Sequence, residues 1–112
     1  LAMLLADRFA TVTMTNVYSK DIPAISRKAD ILISATGVAG LVDASYVSEG
    51  QIVIDVGTSR KDGKLCGDVD WEAVAPIVKA ATPTPGGIGG ITTTVLAKNV
   101  VDACAKANGI KN

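Results

Sequence analysis

Two segments, Ile31-Leu32-Ile33-Ser34-Ala35 and Ile52-Val53-Ile54-Asp55-Val56, are apolar on consecutive rather than alternate positions, and each gives way to a glycine, Gly37 and Gly57. A strand with one wet face alternates; a strand apolar throughout has both faces covered, the habit of a parallel sheet flanked by helices. Short apolar runs alternating with helical stretches therefore predict an α/β layered domain. Leu1 to Arg8 reads as the tail of a helix, Ala10-Thr11-Val12-Thr13-Met14 as a short β-branched strand, and Ile22 to Lys28 as a short helix that tolerates Pro23 in its first turn.

The middle of the chain has another texture. Arg60-Lys61-Asp62-Gly63-Lys64 sets an Asp-Gly turn between extended flanks, a strong hairpin signal. Its second arm, Leu65 to Val69, leads to Asp70, a suitable N-cap for a short helix over 71–75. Ala80 to Pro85 is extended, because each residue before a proline is pushed out of the helical region. Gly86-Gly87-Ile88-Gly89-Gly90 reads as a loop. A long helix follows, with Ile91, Val95, Leu96, Val100, Ala103, Cys104 and Ala107 forming an apolar stripe opposite Lys98, Asp102 and Lys106, and Gly109 as its stop.

Composition narrows the chemistry. The 112 residues suffice for one domain, and with 48% hydrophobic but only 4% aromatic residues the core must be built from Val, Ile, Leu and Ala. Eleven basic and eleven acidic residues cancel, which speaks against nucleic-acid and membrane-surface partners. There is no histidine, which removes imidazole catalysis and His-based metal sites. Cys66 and Cys104 stand in no metal-ligand spacing and read as reduced, buried thiols. No apolar run reaches the roughly 20 residues of a membrane span, and the opening apolar stretch lacks the flanks of a signal peptide. A start on Leu1 inside a helix reads as a piece of something longer.

Candidate chemistry sits at the strand ends. Gly37, Gly57 and Gly86 each follow an extended run, and in a parallel sheet such ends gather along one edge, where small-molecule crevices form; plain turns need the same glycines. The Gly-rich stretch ahead of the long helix suits close backbone approach to an anionic or carbonyl oxygen, or simply a tight strand-to-helix connection. Thr92 stands where a dinucleotide fingerprint wants its last Gly, and no Walker lysine follows. Asp55 reads as a partner for nearby loop amides, and Asp68 and Asp70 as hairpin and cap residues; no metal site is expected.

The blocks from Ala10 to Thr13, Ala29 to Gly37, Ile52 to Gly57, Gly63 to Asp70 and Thr82-Pro83-Thr84-Pro85-Gly86-Gly87-Ile88-Gly89 closely resemble, in order and spacing, the bifunctional methylenetetrahydrofolate dehydrogenase/methenyltetrahydrofolate cyclohydrolase family. The resemblance covers nearly the whole chain. It implies a Rossmann-type, doubly wound, mostly parallel sheet with helices on both faces and a protruding β-hairpin. It also implies one NAD(P)-binding domain over 1–112, without the family's first strand, pyrophosphate loop and N-terminal catalytic domain. The implied activity is oxidation of 5,10-methylenetetrahydrofolate with NADP (NAD in some members), followed by hydrolysis to 10-formyltetrahydrofolate.

By the same resemblance, Thr36 and Gly37 lie beneath the nucleotide and the Thr58 backbone meets the nicotinamide amide. Pro85, Gly86, Gly87, Ile88, Gly89, Gly90, Ile91, Thr92 and Thr93 line the folate and nicotinamide pocket, with Thr92 also touching the cofactor. The family's Tyr and catalytic Lys have no counterpart here, so no catalytic residue is expected in this chain and the isolated chain is expected to be inactive. Val17 stands where the family has a Ser that helps hold the 2′-phosphate of NADP, and it cannot donate that hydrogen bond, which leaves NAD open. Gly57-Thr58-Ser59 replaces Gly-Ile-Asn, and Gly89-Gly90-Ile91-Thr92 replaces Gly-Pro-Met-Thr. The hairpin arm from Ser59 to Val69 matches a subunit-joining element, so a homodimer is implied, with a folate substrate and a cytoplasmic location. A stand-alone nucleotide-binding or dimerisation domain without catalysis is the rival reading, and an unpaired sheet edge is expected to make the isolated chain self-associate.

Overall fold

In the computed structural model, which describes residues 1–110, the two apolar runs form neighbouring parallel strands, β1 (Ile31–Ser34) and β2 (Ile52–Asp55). A third strand, β5 (Ala80–Ala81), pairs with the other side of β2, giving the order β1-β2-β5. The prolines keep this last segment extended, and β2 draws it into the ladder: the Lys79 amide donates to the Gln51 carbonyl (2.9 Å) and the Thr82 amide to that of Val53 (3.0 Å). Fully buried Val53 stands in register with Leu32 and Ala81. Around this row, Val42, Val47 and Val74 close a core with Tyr46, Val69, Ile77 and Val78. As the composition required, aliphatic side chains supply nearly all of it.

The connections follow the local signals. Strands β3 (Ser59–Lys61) and β4 (Lys64–Cys66) form the expected hairpin, with Asp62 and Gly63 both at positive φ (52° and 76°), the requirement of a type I′ turn. Asp70 caps α3 (Trp71–Val74) by accepting from the Ala73 amide at 3.4 Å. Helix α2 (Ile22–Ser26) begins on Asp21 and carries Pro23 in its first turn. Buried Gln51 ties α2 to the start of β2, its side-chain amide donating to the Ser26 and Ala29 carbonyls at 2.7 Å each.

Four expectations need correction. The apolar runs predict strands covered on both faces, but Ile31 is exposed, Leu32 and Ile33 are half-buried and β1 lines an open trough, so this strand is not enclosed. Residues 10–14 follow α1 (Ala2–Ala6) as a segment without ladder partners. A wide, largely apolar trough of about 1680 Å³ is lined by this segment and by β1, so the β-branched sequence has no neighbour with which to bond. Helix α4 (Ile88–Ala107) starts earlier than the glycines suggested, taking Ile88, Gly89 and Gly90 into its first turn. Its apolar stripe is present but uncovered: Ile91, Val95, Leu96 and Val100 are exposed, and Ala105 is the helix's one buried residue. The radius of gyration, 16.7 Å against about 13 Å for a compact domain of this size, reflects the same openness. Cys104 accordingly lies exposed on α4 and Cys66 is half-buried, where both were expected inside; neither is in a disulfide.

Candidate functional site

All three sheet strands run parallel, so their C-terminal ends gather at one edge. Beside the end of β2 lies a cavity of about 400 Å³, walled by Asp55 to Thr58, Leu65, Pro83 to Gly89 and Thr92. The trough opens on the other side, and Val56 and Ile88 line both spaces. The sequence candidates divide between them. Thr58, Thr92, Pro85, Gly86, Gly87, Ile88 and Gly89 line the cavity, whereas Thr36 and Val17 line the trough. Gly37, Gly90, Ile91 and Thr93 line neither, although Gly37 follows Thr36 directly and the other three continue the first turns of α4.

Helix α4 brings its N-terminus to this cavity. Gly87 is the N-cap and offers no side-chain acceptor, so the first amides have no cap from the chain. The hydroxyls of Thr92, Thr93 and Thr94 donate back to the Ile88, Gly89 and Gly90 carbonyls. The glycines differ in what requires them. A side chain on Gly87 would run into the Pro83 carbonyl and approach Thr82 Cβ at 3.1 Å, so the protein's own packing demands that glycine. At Gly89 and Gly90 a Cβ would meet nothing within 4 Å, and neither has a positive φ. A helical glycine costs about 1 kcal/mol relative to alanine, and here no intramolecular contact offsets it. What the two positions gain is open space beside free amides.

The floor of the edge is held by two buried carboxylates. Asp55, at the end of β2, accepts from the amides of Gly57 (2.9 Å), Asp68 (3.1 Å) and Val69 (3.1 Å). The expected amide-binding role for Asp55 is thus present, and it reaches across to the base of the hairpin. Asp68 returns the contact: its Oδ2 accepts from the Ser34 hydroxyl (2.7 Å) and the Thr36 amide (2.6 Å) at the end of β1. Each carboxylate also lies over the other's glycine, since a Cβ on Gly57 would overlap Asp68 and one on Gly67 would overlap Asp55. Sequence reasoning treated Asp68 as a hairpin residue and missed this reciprocity. Its visible trace was only that each aspartate stands within two residues of a glycine, Asp55 before Gly57 and Asp68 after Gly67.

Burial pushes the Asp68 carboxyl up, but the hydrogen bonds from Thr36 and Ser34 outweigh it and hold the group below the usual aspartate range. A carboxyl held low in the folded state adds stability above its unfolded pKa, and that stability is lost as pH falls through the folded value. Denaturation midpoints should therefore fall as the pH drops below about 4, and Asp68→Asn should flatten this acid limb; an unchanged limb in the variant would refute the assignment.

Among the described residues no three His, Cys, Asp or Glu side chains gather as a metal site, and no helix is long and apolar enough to cross a membrane.

Comparison with known proteins sets this edge in a family. A family model described as tetrahydrofolate dehydrogenase/cyclohydrolase, NAD(P)-binding domain, matches residues 1–108. Bifunctional protein FolD 1 of Desulfitobacterium hafniense is 50% identical over 93% of this chain, and FolD of Carboxydothermus hydrogenoformans 47% over 97%. The chain spans only 37% and 39% of those two proteins. Among solved structures, the bifunctional dehydrogenase/cyclohydrolase FolD of Campylobacter jejuni superposes with a TM-score of 0.90 at 38% identity, covering 95% of this chain and 38% of that one. The Trypanosoma brucei enzyme, solved with NADP cofactor and an inhibitor, gives 0.81 at 38% identity, covering 89% and 37%. The parallel sheet, the glycine-lined helix start and the match along residues 1–108 together place this chain in the tetrahydrofolate dehydrogenase/cyclohydrolase family, in its NAD(P)-binding domain.

Proposed function

We propose that this chain is the nucleotide-binding part, over residues 1–112, of an enzyme that oxidises 5,10-methylenetetrahydrofolate and hydrolyses the methenyl product to 10-formyltetrahydrofolate. The observation that carries the proposal is the pair Gly89 and Gly90, helical glycines with no conformational or packing cause of their own, beside uncapped amides, with Gly89 lining the cavity and Gly90 following it in the first turn of α4. Such a surface suits the close approach of a dinucleotide. When bound, NADP accepts the hydride lost by the methylene carbon. Thr36 and Gly37 support the nucleotide from the end of β1, and the Thr58 backbone meets the carboxamide from the end of β2. The run Pro85, Gly86, Gly87, Ile88, Gly89, Gly90, Ile91, Thr92, Thr93 forms the wall against which folate and nicotinamide face each other. No residue of this chain acts as the proton donor or acceptor; the chain binds and aligns the donor carbon against the nicotinamide. A second copy of the protein meets the hairpin, whose Leu65 is exposed. The unpaired cysteines fit the reducing cytoplasm.

The complete polypeptide carrying this chain, given methylenetetrahydrofolate and NADP, should generate NADPH and then 10-formyltetrahydrofolate, followed by absorbance. A folded polypeptide that binds NADP but transfers no hydride would instead favour a binding or dimerisation domain without catalysis.

Two substitutions probe the nucleotide side. Gly89→Ala should raise thermal stability, because it removes a helical glycine worth about 1 kcal/mol, and yet weaken NADP binding about tenfold by filling the approach. Loss or gain of both properties together would contradict the assigned role. Val17, 89% exposed on the trough, offers no donor to a 2′-phosphate; Val17→Ser should raise the NADP-to-NAD affinity ratio about tenfold, the value of one hydrogen bond to a charged group. A ratio unchanged in paired titrations would place the 2′-phosphate elsewhere.

A further inference from the structure

The buried carboxylate of Asp68 is placed oddly for a purely structural group. It is wholly inaccessible, its Oδ1 has no hydrogen-bond partner, and among the described residues no lysine or arginine forms an ion pair with it. A buried carboxylate with no cationic partner depends wholly on its hydrogen bonds, here from Ser34 and Thr36, and an apolar residue of similar size commonly serves packing better. The hydrophobic core does not depend on it, being centred on Val53 and Val74 and closed by aliphatic side chains. What Asp68 does hold is the rim of the crevice. Its Oδ2 takes the Thr36 amide and the Ser34 hydroxyl where the chain leaves β1, and its carboxylate lies against Gly57 where the chain leaves β2. Thr36 in turn accepts the Val38 amide at 3.2 Å, extending the constraint into the next turn. Asp55 anchors the backbone of Asp68 itself, so the carboxylate cannot drift with the hairpin.

We propose that Asp68 is a positioning residue for the dinucleotide: it couples the loop leaving β1 to the loop leaving β2, so that Thr36 and Thr58 meet the ligand as one rigid unit. This rests on the nucleotide-binding assignment above. The coupling acts on ligand affinity through loop placement, with no contact between Asp68 and the ligand.

The test uses the complete polypeptide, with NADP titrated calorimetrically and backbone amide exchange read at Thr36. Lys79, whose amide bonds Gln51 on the far side of β2, serves as the control. Asp68→Ala should raise the NADP dissociation constant about tenfold and speed exchange at Thr36 while leaving Lys79 unchanged. Asp68→Asn, which keeps an acceptor for both donors, should stay within about threefold of the parent. Gly57→Ala should weaken binding less in the Asp68→Ala background than alone, because its obstacle is gone. Should Asp68→Ala not fold, Ser34→Ala removes one of the two donors and should give about a threefold loss with the same contrast between Thr36 and Lys79. An affinity unchanged despite faster exchange at Thr36 overturns the coupling. Acceleration at Lys79 equal to that at Thr36 also overturns it, since the residue then serves general stability. A parent that binds no NADP removes the nucleotide assignment itself, and exchange at Thr36 still decides separately whether Asp68 couples the two loops.

Discussion

Gly67→Ala is expected to cost about 4 kcal/mol of folding free energy, a large share of the 5–15 that a domain this size commonly holds. The added methyl would occupy the place of the Asp55 carboxylate. Two escapes exist, and both are unfavourable. If the carboxylate turns away, the amides of Gly57, Asp68 and Val69 lose their acceptor in a buried place, each at about 1–3 kcal/mol. If the hairpin base moves instead, it must leave the ladder in which the Val42 amide donates to the Asp68 carbonyl and the Asp70 amide to that of Val42, both at 2.9 Å; overpacking of this kind costs about 1–3 kcal/mol by itself. Denaturant unfolding followed by Trp71 fluorescence measures the loss. A change below about 1 kcal/mol would mean that the two carboxylates do not hold the sheet edge as described.

The largest expected effect on activity is at Gly87. An alanine there meets a backbone carbonyl, that of Pro83, rather than a side chain able to turn aside. The segment between β5 and α4 must then shift, and it carries the wall of the cavity and the first amides of the helix. Displacements near 1 Å in a positioned site commonly cost about a hundredfold in rate, so kcat/KM of the complete polypeptide should fall by about that factor. Thermal stability should fall far less than in Gly67→Ala, because no buried carboxylate loses its donors. Equal activity in Gly87→Ala and the parent would remove this wall from the catalytic geometry.

How much of this was legible in the sequence depended on whether the cause was local. The consecutive apolar runs at Ile31 and Ile52 announced the parallel pairing but not its cover, since Ile31 is exposed and β1 lines the open trough; Asp62-Gly63 announced its type I′ turn and Asp70 its cap, because each signal lies within the few residues it governs. Residues 10–14 have the composition of a strand but no ladder partner within reach, and pairing is a property of two segments rather than one. The stripe on α4 was likewise correct as periodicity and silent about cover. Asp68 was the largest omission: its partners lie 32 and 34 residues away in sequence, a distance over which spacing carries no information. Glycine was legible as a breaker at Gly86 and Gly87, but Gly89 and Gly90 entered the helix, since a first turn has few backbone bonds to lose.

The central claim, that a dinucleotide lies across the C-terminal edge of this sheet, is tested most directly by hydrogen–deuterium exchange of the complete polypeptide with and without NADP. Protection is predicted in peptides spanning Thr36 and Gly37, Thr58, and the run from Pro85 to Thr93, with the hairpin turn at Asp62 and the second half of α4 unchanged. Protection confined to those latter segments, or none at all at saturating NADP, would contradict it.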